Sequence, residues 1–283
     1  MRIYAWMRFL DVAPYPTNEY VKLVHRGPCP LFAKIKNDTF RTLTTDPLFR
    51  RRVSEQSLIR VLNSVAWVLA DMRAPAAVVA GSNGPSNGSD SAKTNGRNGN
   101  NNNNNNNNNG VDNYIQGMNV LCAPLLYASR SESQAFATFH CLITQHLPAY
   151  TRAGMSGVHL GLSLIDRLLH VLDPQLSVYL TGRGLSASLY AFPSVLTLGA
   201  CTPPLLEVLA LWDFLLAQGP WLNLLAVVAQ VVSMREVLLK DPSPNRYLRS
   251  LPPLRADQTI ALVTGFLERV PEGLLREVRE HAR

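Results

Sequence analysis

Two short segments of this chain carry side chains that could assist the transfer of a phosphoryl group. In the first, Arg41 follows Asp38 by three residues, and in the second, Gln116 follows Tyr114 by two. A guanidinium group neutralises the charge that builds on a transferred phosphoryl group, and a carboxamide orients the attacking water. GTP hydrolysis lacks these two groups when a small GTPase works slowly alone. The two segments therefore carry residue types that phosphoryl transfer can use.

Each of these residues also has an ordinary structural interpretation. An arginine on a helix commonly forms an ion pair with an acid three residues earlier, which here is Asp38. A glutamine such as Gln116, near a helix start, is commonly a capping or solvated side chain. Spacing alone does not decide between the catalytic and the structural interpretation, because short motifs recur by chance.

The chain has no motif for binding the nucleotide itself. It lacks a Gly-x-x-x-x-Gly-Lys-Ser/Thr loop, so GTP and Mg²⁺ are expected to belong to a partner and no cofactor is predicted for this chain. The four cysteines form no Cys-x-x-Cys pair and have no histidine at metal-ligand spacing. We therefore predict no metal site, and reduced thiols in a cytosolic protein.

Charge and hydropathy argue against two other classes of protein. The net charge of +7 comes from scattered basic residues without interleaved aromatic ones, which argues against nucleic-acid binding and fits an acidic protein partner. The apolar run at residues 205–232 is interrupted by Glu207, Asp213 and Gly219-Pro220. It is therefore expected to form two buried helices instead of a transmembrane segment.

Helical periodicity dominates the pattern of apolar residues. Apolar positions recur at intervals of three and four, and no region shows clean alternation with a period of two. Ser54 and Glu55 are placed to cap one helix, and Pro124 is expected to kink another. The helices are predicted near residues 55–69, 112–126, 161–172, 205–217, 222–239 and 260–270. The chain is therefore predicted to be all-α.

A polar segment at residues 81–112 divides the chain. It is rich in Gly, Ser and Asn and contains ten consecutive asparagines at 100–109. Because it has almost no apolar side chains to offset the entropy of ordering, we expect a disordered insert. Residues 1–80 and 113–283 each carry one half of the candidate site. We therefore interpret the insert as a loop within a single helical domain of two subdomains.

The longer run around Arg41 resembles part of the signature of the TBC-domain GTPase-activating proteins, which act on Rab-like GTPases. Ile35-x-x-Asp38-x-x-Arg41 is similar to the family's Ile-x-x-Asp-x-x-Arg motif. The resemblance implies that Arg41 is a catalytic finger inserted beside the partner's nucleotide. It also implies that Asp38 helps to hold the surrounding structure and belongs to the partner-binding region.

A second run is similar to another motif of the same family. Tyr114-x-Gln116-Gly117-Met118-Asn119 matches its Tyr-x-Gln-Gly-Met-Asn pattern. The resemblance implies that Gln116 is supplied in trans and takes over the task of the GTPase's own glutamine. It places Tyr114 and Gly117 in the partner-binding region, with Tyr114 packed beside the glutamine and Gly117 allowing a close backbone approach.

Two further matches bear on the fold. Arg2-x-x-x-Trp6 resembles the element with which the family's domain opens, and Trp212-Asp213 resembles a family helix that ends in glycine, here Gly219. We interpret Trp212 as a buried core residue and Gly219 as a helix C-cap.

The runs at residues 173–180, 190–193 and 248–254 look like the family's fungal branch that monitors spindle position and septation. This resemblance implies a Ras- or Rab-like small GTPase as partner, a scaffold subunit that completes a two-component activator, and negative regulation of mitotic exit or septation. It also implies a cytoplasmic protein at the spindle pole body. Two alternatives stay open: a catalytically inactive scaffold at the spindle pole, and a Rab activator in membrane traffic. An activator of this kind has no independent reaction and supplies catalytic residues to the GTPase.

Overall fold

The computed structural model of the chain describes residues 1–73, 114–152 and 154–283. Within these ranges every regular element is a helix, which confirms the all-α prediction. The predicted disordered insert at 81–112 lies outside the described residues.

The helices before residue 74 include the first half of the candidate site. They are α1 (Arg2–Phe9), α2 (Thr17–His25), α3 (Phe32–Thr39), α4 (Pro47–Arg52) and α5 (Glu55–Arg73). The Ser54 hydroxyl accepts a hydrogen bond from the backbone N–H of Ser57 at 3.1 Å, which confirms the predicted cap of α5. Helix α4 begins with Pro47, and the Asp46 carboxylate accepts the next two backbone N–H groups.

The second group of helices begins beside the glutamine segment, and the helix predicted near residues 112–126 starts only at Met118, because residues 114–117 form a turn. It comprises α6 (Met118–Ala128), α7 (Glu132–Cys141), α8 (Pro148–Thr151), α9 (Ser156–Leu172), α10 (Pro174–Thr181), α11 (Ala187–Tyr190) and α12 (Phe192–Leu196). A π-helical turn at Leu142–His146 lies between α7 and α8. Pro124 lies inside α6, where it removes one backbone donor.

The last group of helices corrects two predicted boundaries. It comprises α13 (Leu205–Gln218), α14 (Asn223–Ser233), α15 (Arg235–Lys240), α16 (Asn245–Leu248), α17 (Ala256–Leu267) and α18 (Glu272–Glu280). The prediction of one helix over 222–239 is wrong, because the chain turns at Met234. The helix predicted to reach Val270 ends at Leu267, since Pro271 disfavours helical backbone in the residue before it.

One continuous hydrophobic core connects the described helices from Ile3 to Ala282. On the N-terminal side, α5 packs against α2, α3, α6 and α7. On the C-terminal side, α9 packs against α10, α11, α12, α14 and α18, while α17 lies against α13 and α14. Helix α1 contacts both α6 and α13 and so joins the two sides.

The two motifs that resemble the family's opening and Trp-Asp elements meet at this junction. Trp6 and Trp212 are both fully buried, and their ring centroids lie 5.7 Å apart. The Asp213 carboxylate accepts hydrogen bonds from Arg2 Nε at 2.9 Å and from Trp6 Nε1 at 2.8 Å. Gly219 follows α13 with a positive φ of 128°. These contacts confirm Trp212 as a core residue and Gly219 as a C-cap.

The apolar run at 205–232 contains α13 and α14, separated at Gly219 by a 3₁₀ turn at Pro220–Leu222. Among the helices described, none combines the length and the hydropathy that crossing a membrane requires.

Candidate functional site

Helix α3 has a buried side that contains Ile35 and Asp38 and an exposed side that contains two lysines. Ile35 is fully buried in the core and fixes the rotation of the helix. The chain leaves α3 through a turn at residues 40–45, and Arg41 lies at the start of this turn with its side chain 63% exposed. The helix therefore holds the base of the arginine segment while the guanidinium faces solvent.

The Asp38 carboxylate connects the two segments of the candidate site. Its Oδ1 accepts a hydrogen bond from Arg41 Nη2 at 2.7 Å, and its Oδ2 accepts one from the Tyr114 hydroxyl at 3.1 Å. Asp38 is 4% exposed and Tyr114 is 1% exposed. The ion pair between Arg41 and Asp38, expected from the three-residue spacing, is thus present and belongs to a buried network.

Burial is the main cause that raises the pKa of the Tyr114 hydroxyl above its ordinary value, and the neighbouring Asp38 carboxylate raises this pKa further. The phenol therefore keeps its proton at neutral pH and donates it to the carboxylate. A hydrogen bond to an ionised acceptor is stronger than a neutral one, so this contact fixes the position of the glutamine segment against α3.

Asn119 ties the same two segments together, and the sequence interpretation gave it no role. Its Nδ2 donates to the Thr42 hydroxyl at 2.8 Å and to the Asp38 carbonyl at 3.2 Å, while its Oδ1 accepts from the Gly117 backbone N–H at 3.1 Å. Asn119 and Thr42 are both buried. The available signal was an amide in the otherwise apolar first turns of α6, because a buried amide needs several partners.

Gln116 is exposed and directly precedes Gly117, the residue that caps α6. The structure thus places both predicted catalytic side chains, Arg41 and Gln116, at the surface, on segments tied to the same buried carboxylate. Asp38 and Tyr114, predicted as partner-binding residues, lie beneath this surface, where they hold the two segments together.

Position 117 requires a residue without a side chain for two separate reasons. Its φ is +107°, a conformation that side-chain-bearing residues rarely adopt, and a Cβ atom would lie 2.7 Å from Leu196 Cδ2 at the end of α12. The crowding at Gly117 therefore comes from the Leu196 side chain, and the close approach of a partner backbone stays a prediction. The sharp turn at Gly117 directs the chain from the exposed Gln116 into the buried start of α6.

Replacement Gly117→Ala is expected to lower the free energy of unfolding by about 1–3 kcal/mol, because alanine is strained at this φ and meets Leu196. Urea denaturation measures this change. Gly265→Ala is the matched control, since Gly265 lies within α17 with open space around it. That control should raise stability by about 0.5–1 kcal/mol. Equal effects of the two replacements would contradict the strain at Gly117.

Replacement Tyr114→Phe is expected to lower the free energy of unfolding by about 1–3 kcal/mol, because it removes a buried donor from the ionised Asp38. Tyr4→Phe is the control, since the Tyr4 side chain is 47% exposed. Thermal and urea unfolding of both variants measure the difference. Unchanged stability in Tyr114→Phe would show that the hydroxyl does not hold the two segments together.

Comparison with known proteins places these motifs in a family. Residues 103–239 match the model of the Rab-GTPase-TBC domain, a range that includes Gln116 and Trp212. Cell division control protein 16 of Schizosaccharomyces pombe is 38% identical over 281 residues, which cover 99% of this chain and 80% of the relative. Mitotic check point protein BUB2 of Saccharomyces cerevisiae is 37% identical over 283 residues, which cover 99% of this chain and 83% of the relative. Both matches extend across the arginine segment.

The fold is also similar to a solved structure. The crystal structure of the Ypt/Rab-GAP domain of Gyp1p superposes with a TM-score of 0.69 and 15% sequence identity, over 94% of this chain and 87% of that chain. At this identity the likeness concerns the fold alone, and it agrees with the helical arrangement described above. The sequence relatives and the family model together establish that this chain belongs to the Rab-GTPase-TBC domain family.

Proposed function

We propose that this chain is a GTPase-activating protein that supplies Arg41 and Gln116 to a GTP-bound small GTPase of the Ras or Rab kind. Membership of the Rab-GTPase-TBC domain family supports the activating role. The observation that carries the two-residue mechanism is the buried Asp38 carboxylate. It joins the arginine and glutamine segments, and both candidate catalytic side chains remain exposed.

The proposed chemistry follows from these two side chains. The planar guanidinium of Arg41 would neutralise charge on the transferred phosphoryl group. The Gln116 carboxamide can accept a hydrogen bond from the attacking water and donate one to a phosphate oxygen. Because the segments are positioned before the partner arrives, little ordering remains to be done at the reaction step. GTP and Mg²⁺ stay with the GTPase, and the chain has no independent reaction.

The two sequence relatives are named for cell division control and for a mitotic check point. We therefore propose that the GTPase promotes mitotic exit or septation. This chain, acting at the spindle pole together with a scaffold subunit, keeps that GTPase inactive. In cells, loss of Arg41 should then allow mitotic exit or septation despite a spindle fault. A membrane-traffic defect with a normal arrest would favour a Rab activator in traffic.

Single-turnover GTP hydrolysis tests the proposed activity. A panel of Ras- and Rab-like GTPases is loaded with GTP, and hydrolysis is followed with and without this chain and its candidate scaffold. The expected result is strong stimulation of one GTPase by the wild-type chain and none by Arg41→Ala. Binding of a GTPase without stimulation would instead identify a catalytically inactive scaffold.

A further inference from the structure

Phe40 is an unusually exposed aromatic residue directly beside the candidate catalytic arginine. Its side chain lies in the turn after α3 and is 75% exposed, compared with 48% for Phe9 and 47% for Tyr4. A single exposed apolar side chain needs no explanation in general. Phe40 differs because it directly precedes Arg41, so any protein that receives the guanidinium must also meet the phenyl ring.

Helix α3 presents two exposed rows of side chains that lead to these residues. Lys34, Asn37 and Arg41 follow the i, i+3, i+7 spacing of one row, and the neighbouring row consists of Ala33, Lys36 and Phe40. The acid of α3, Asp38, is buried. The exposed side of α3 therefore combines positive charge with one large apolar side chain. We call these six residues the α3 surface.

A groove of about 310 Å³ continues the α3 surface toward α4 and α5. Its lining includes Thr39, Phe40, Thr44, Phe49, Arg50 and Glu55. Phe40 thus precedes Arg41 in the chain and lines this groove. A partner loop that contacts Arg41 can continue past the ring into this groove.

We propose that Phe40 is the hydrophobic anchor by which the α3 surface docks the small GTPase. This inference rests on the proposed function, and it adds a residue that acts in binding and not in chemistry. The surface fits a partner that presents an apolar contact bordered by acidic side chains next to its nucleotide. Aromatic anchors surrounded by polar side chains carry a large share of the binding energy in protein interfaces. Lys36 and Lys34, the second of which also donates to the Tyr114 carbonyl at 3.3 Å, attract an acidic partner and hold its orientation.

The anchor has a kinetic signature that differs from that of a catalytic residue. Phe40 offers neither a charge nor a hydrogen-bond donor for the transition state. Its loss should therefore weaken binding of the GTPase equally in the ground-state complex and in the transition state. Replacement Phe40→Ala is expected to raise KM for the GTP-bound GTPase about tenfold with kcat unchanged. Replacement Arg41→Ala has the opposite effect, a large loss of kcat with smaller change in KM.

The experiment measures binding and hydrolysis separately. Small GTPases are loaded with a fluorescent non-hydrolysable GTP analogue, and their Kd values are determined for wild type, Phe40→Ala, Phe40→Tyr, Arg41→Ala and the control Phe9→Ala. Single-turnover hydrolysis is then measured over a range of concentrations of each variant. We expect Phe40→Ala to raise Kd about tenfold, while Phe40→Tyr and Phe9→Ala stay close to wild type. A cooperative unfolding transition well above the assay temperature shows that each variant is folded.

The two proposals fail in different ways. Wild-type binding without stimulated hydrolysis removes the activating function, but a higher Kd in Phe40→Ala still supports the docking role. Stimulation that depends on Arg41 with an unchanged Kd in Phe40→Ala overturns the anchor alone. If Phe40→Ala is misfolded, the Kd values of Phe40→Tyr and Phe40→Lys for the GTPase test the anchor instead. Phe40→Lys should lose affinity and Phe40→Tyr should keep it, and equal Kd values would overturn the anchor. If no GTPase binds the wild-type chain, both proposals are wrong.

Discussion

Replacement Arg41→Ala is expected to reduce stimulated GTP hydrolysis by about 10³–10⁵-fold, which corresponds to about 4–7 kcal/mol of transition-state stabilisation. The guanidinium is exposed and lies on a segment held by α3, and the proposed mechanism needs its positive charge at the transferred phosphoryl group. Saturating single-turnover hydrolysis measures the loss. Arg41→Lys is also expected to fail, because an ammonium group cannot make the planar two-pronged contact.

The fold should survive the loss of Arg41. Its partner Asp38 keeps the hydrogen bond from the Tyr114 hydroxyl, so the protein should stay folded, although the buried carboxylate loses its charged partner and some stability with it. A cooperative unfolding transition of Arg41→Ala well above the assay temperature is the control. Stimulation close to wild type in a folded Arg41→Ala protein would remove this residue from the mechanism.

Replacement Gln116→Ala is expected to slow stimulated hydrolysis by about 10²–10³-fold, the effect of removing one positioned hydrogen-bonding group from a developing charge. Gln116 is exposed at a turn, so its truncation should leave the unfolding free energy close to that of wild type. The loss should appear in kcat, since the carboxamide acts on the attacking water.

A crossed experiment distinguishes a glutamine supplied in trans from one supplied by the GTPase. The GTPase's own catalytic glutamine is replaced by leucine. The unaltered GTPase and this leucine variant are each tested with the wild-type chain and with Gln116→Ala. If Gln116 acts in trans, the leucine GTPase remains responsive to wild type and loses its response to Gln116→Ala. The reverse pattern would assign the water-positioning role to the GTPase.

Local sequence patterns determined the parts of this structure that depend on neighbouring residues. Periodic apolar positions predicted helices. Ser54 begins α5 and Gly219 ends α13 as expected, because capping uses groups a few residues away. The same reasoning failed at Met234. There the chain turns, and Arg235 at the start of α15 donates to Asp173 at 2.7 Å, a contact with the start of α10 that no local pattern encodes.

The candidate site divides in the same way. The sequence by itself singled out Arg41 and Gln116 as candidate catalytic residues, because GTP hydrolysis uses those residue types and the family motifs surround them, and their catalytic roles stay predictions. It also predicted the ion pair between Arg41 and Asp38, since a spacing of three residues brings side chains together on a helix.

Only the tertiary structure decided how the two halves are joined. Tyr114 and Asn119 reach Asp38 across more than seventy residues of chain, and these bonds depend on α6 packing against α3. The burial of Asp38 and Tyr114 beneath the surface and the exposure of Phe40 beside Arg41 follow from the same packing. Side-chain exposure is a property of the assembled helices, so residue types and spacing alone could not assign it.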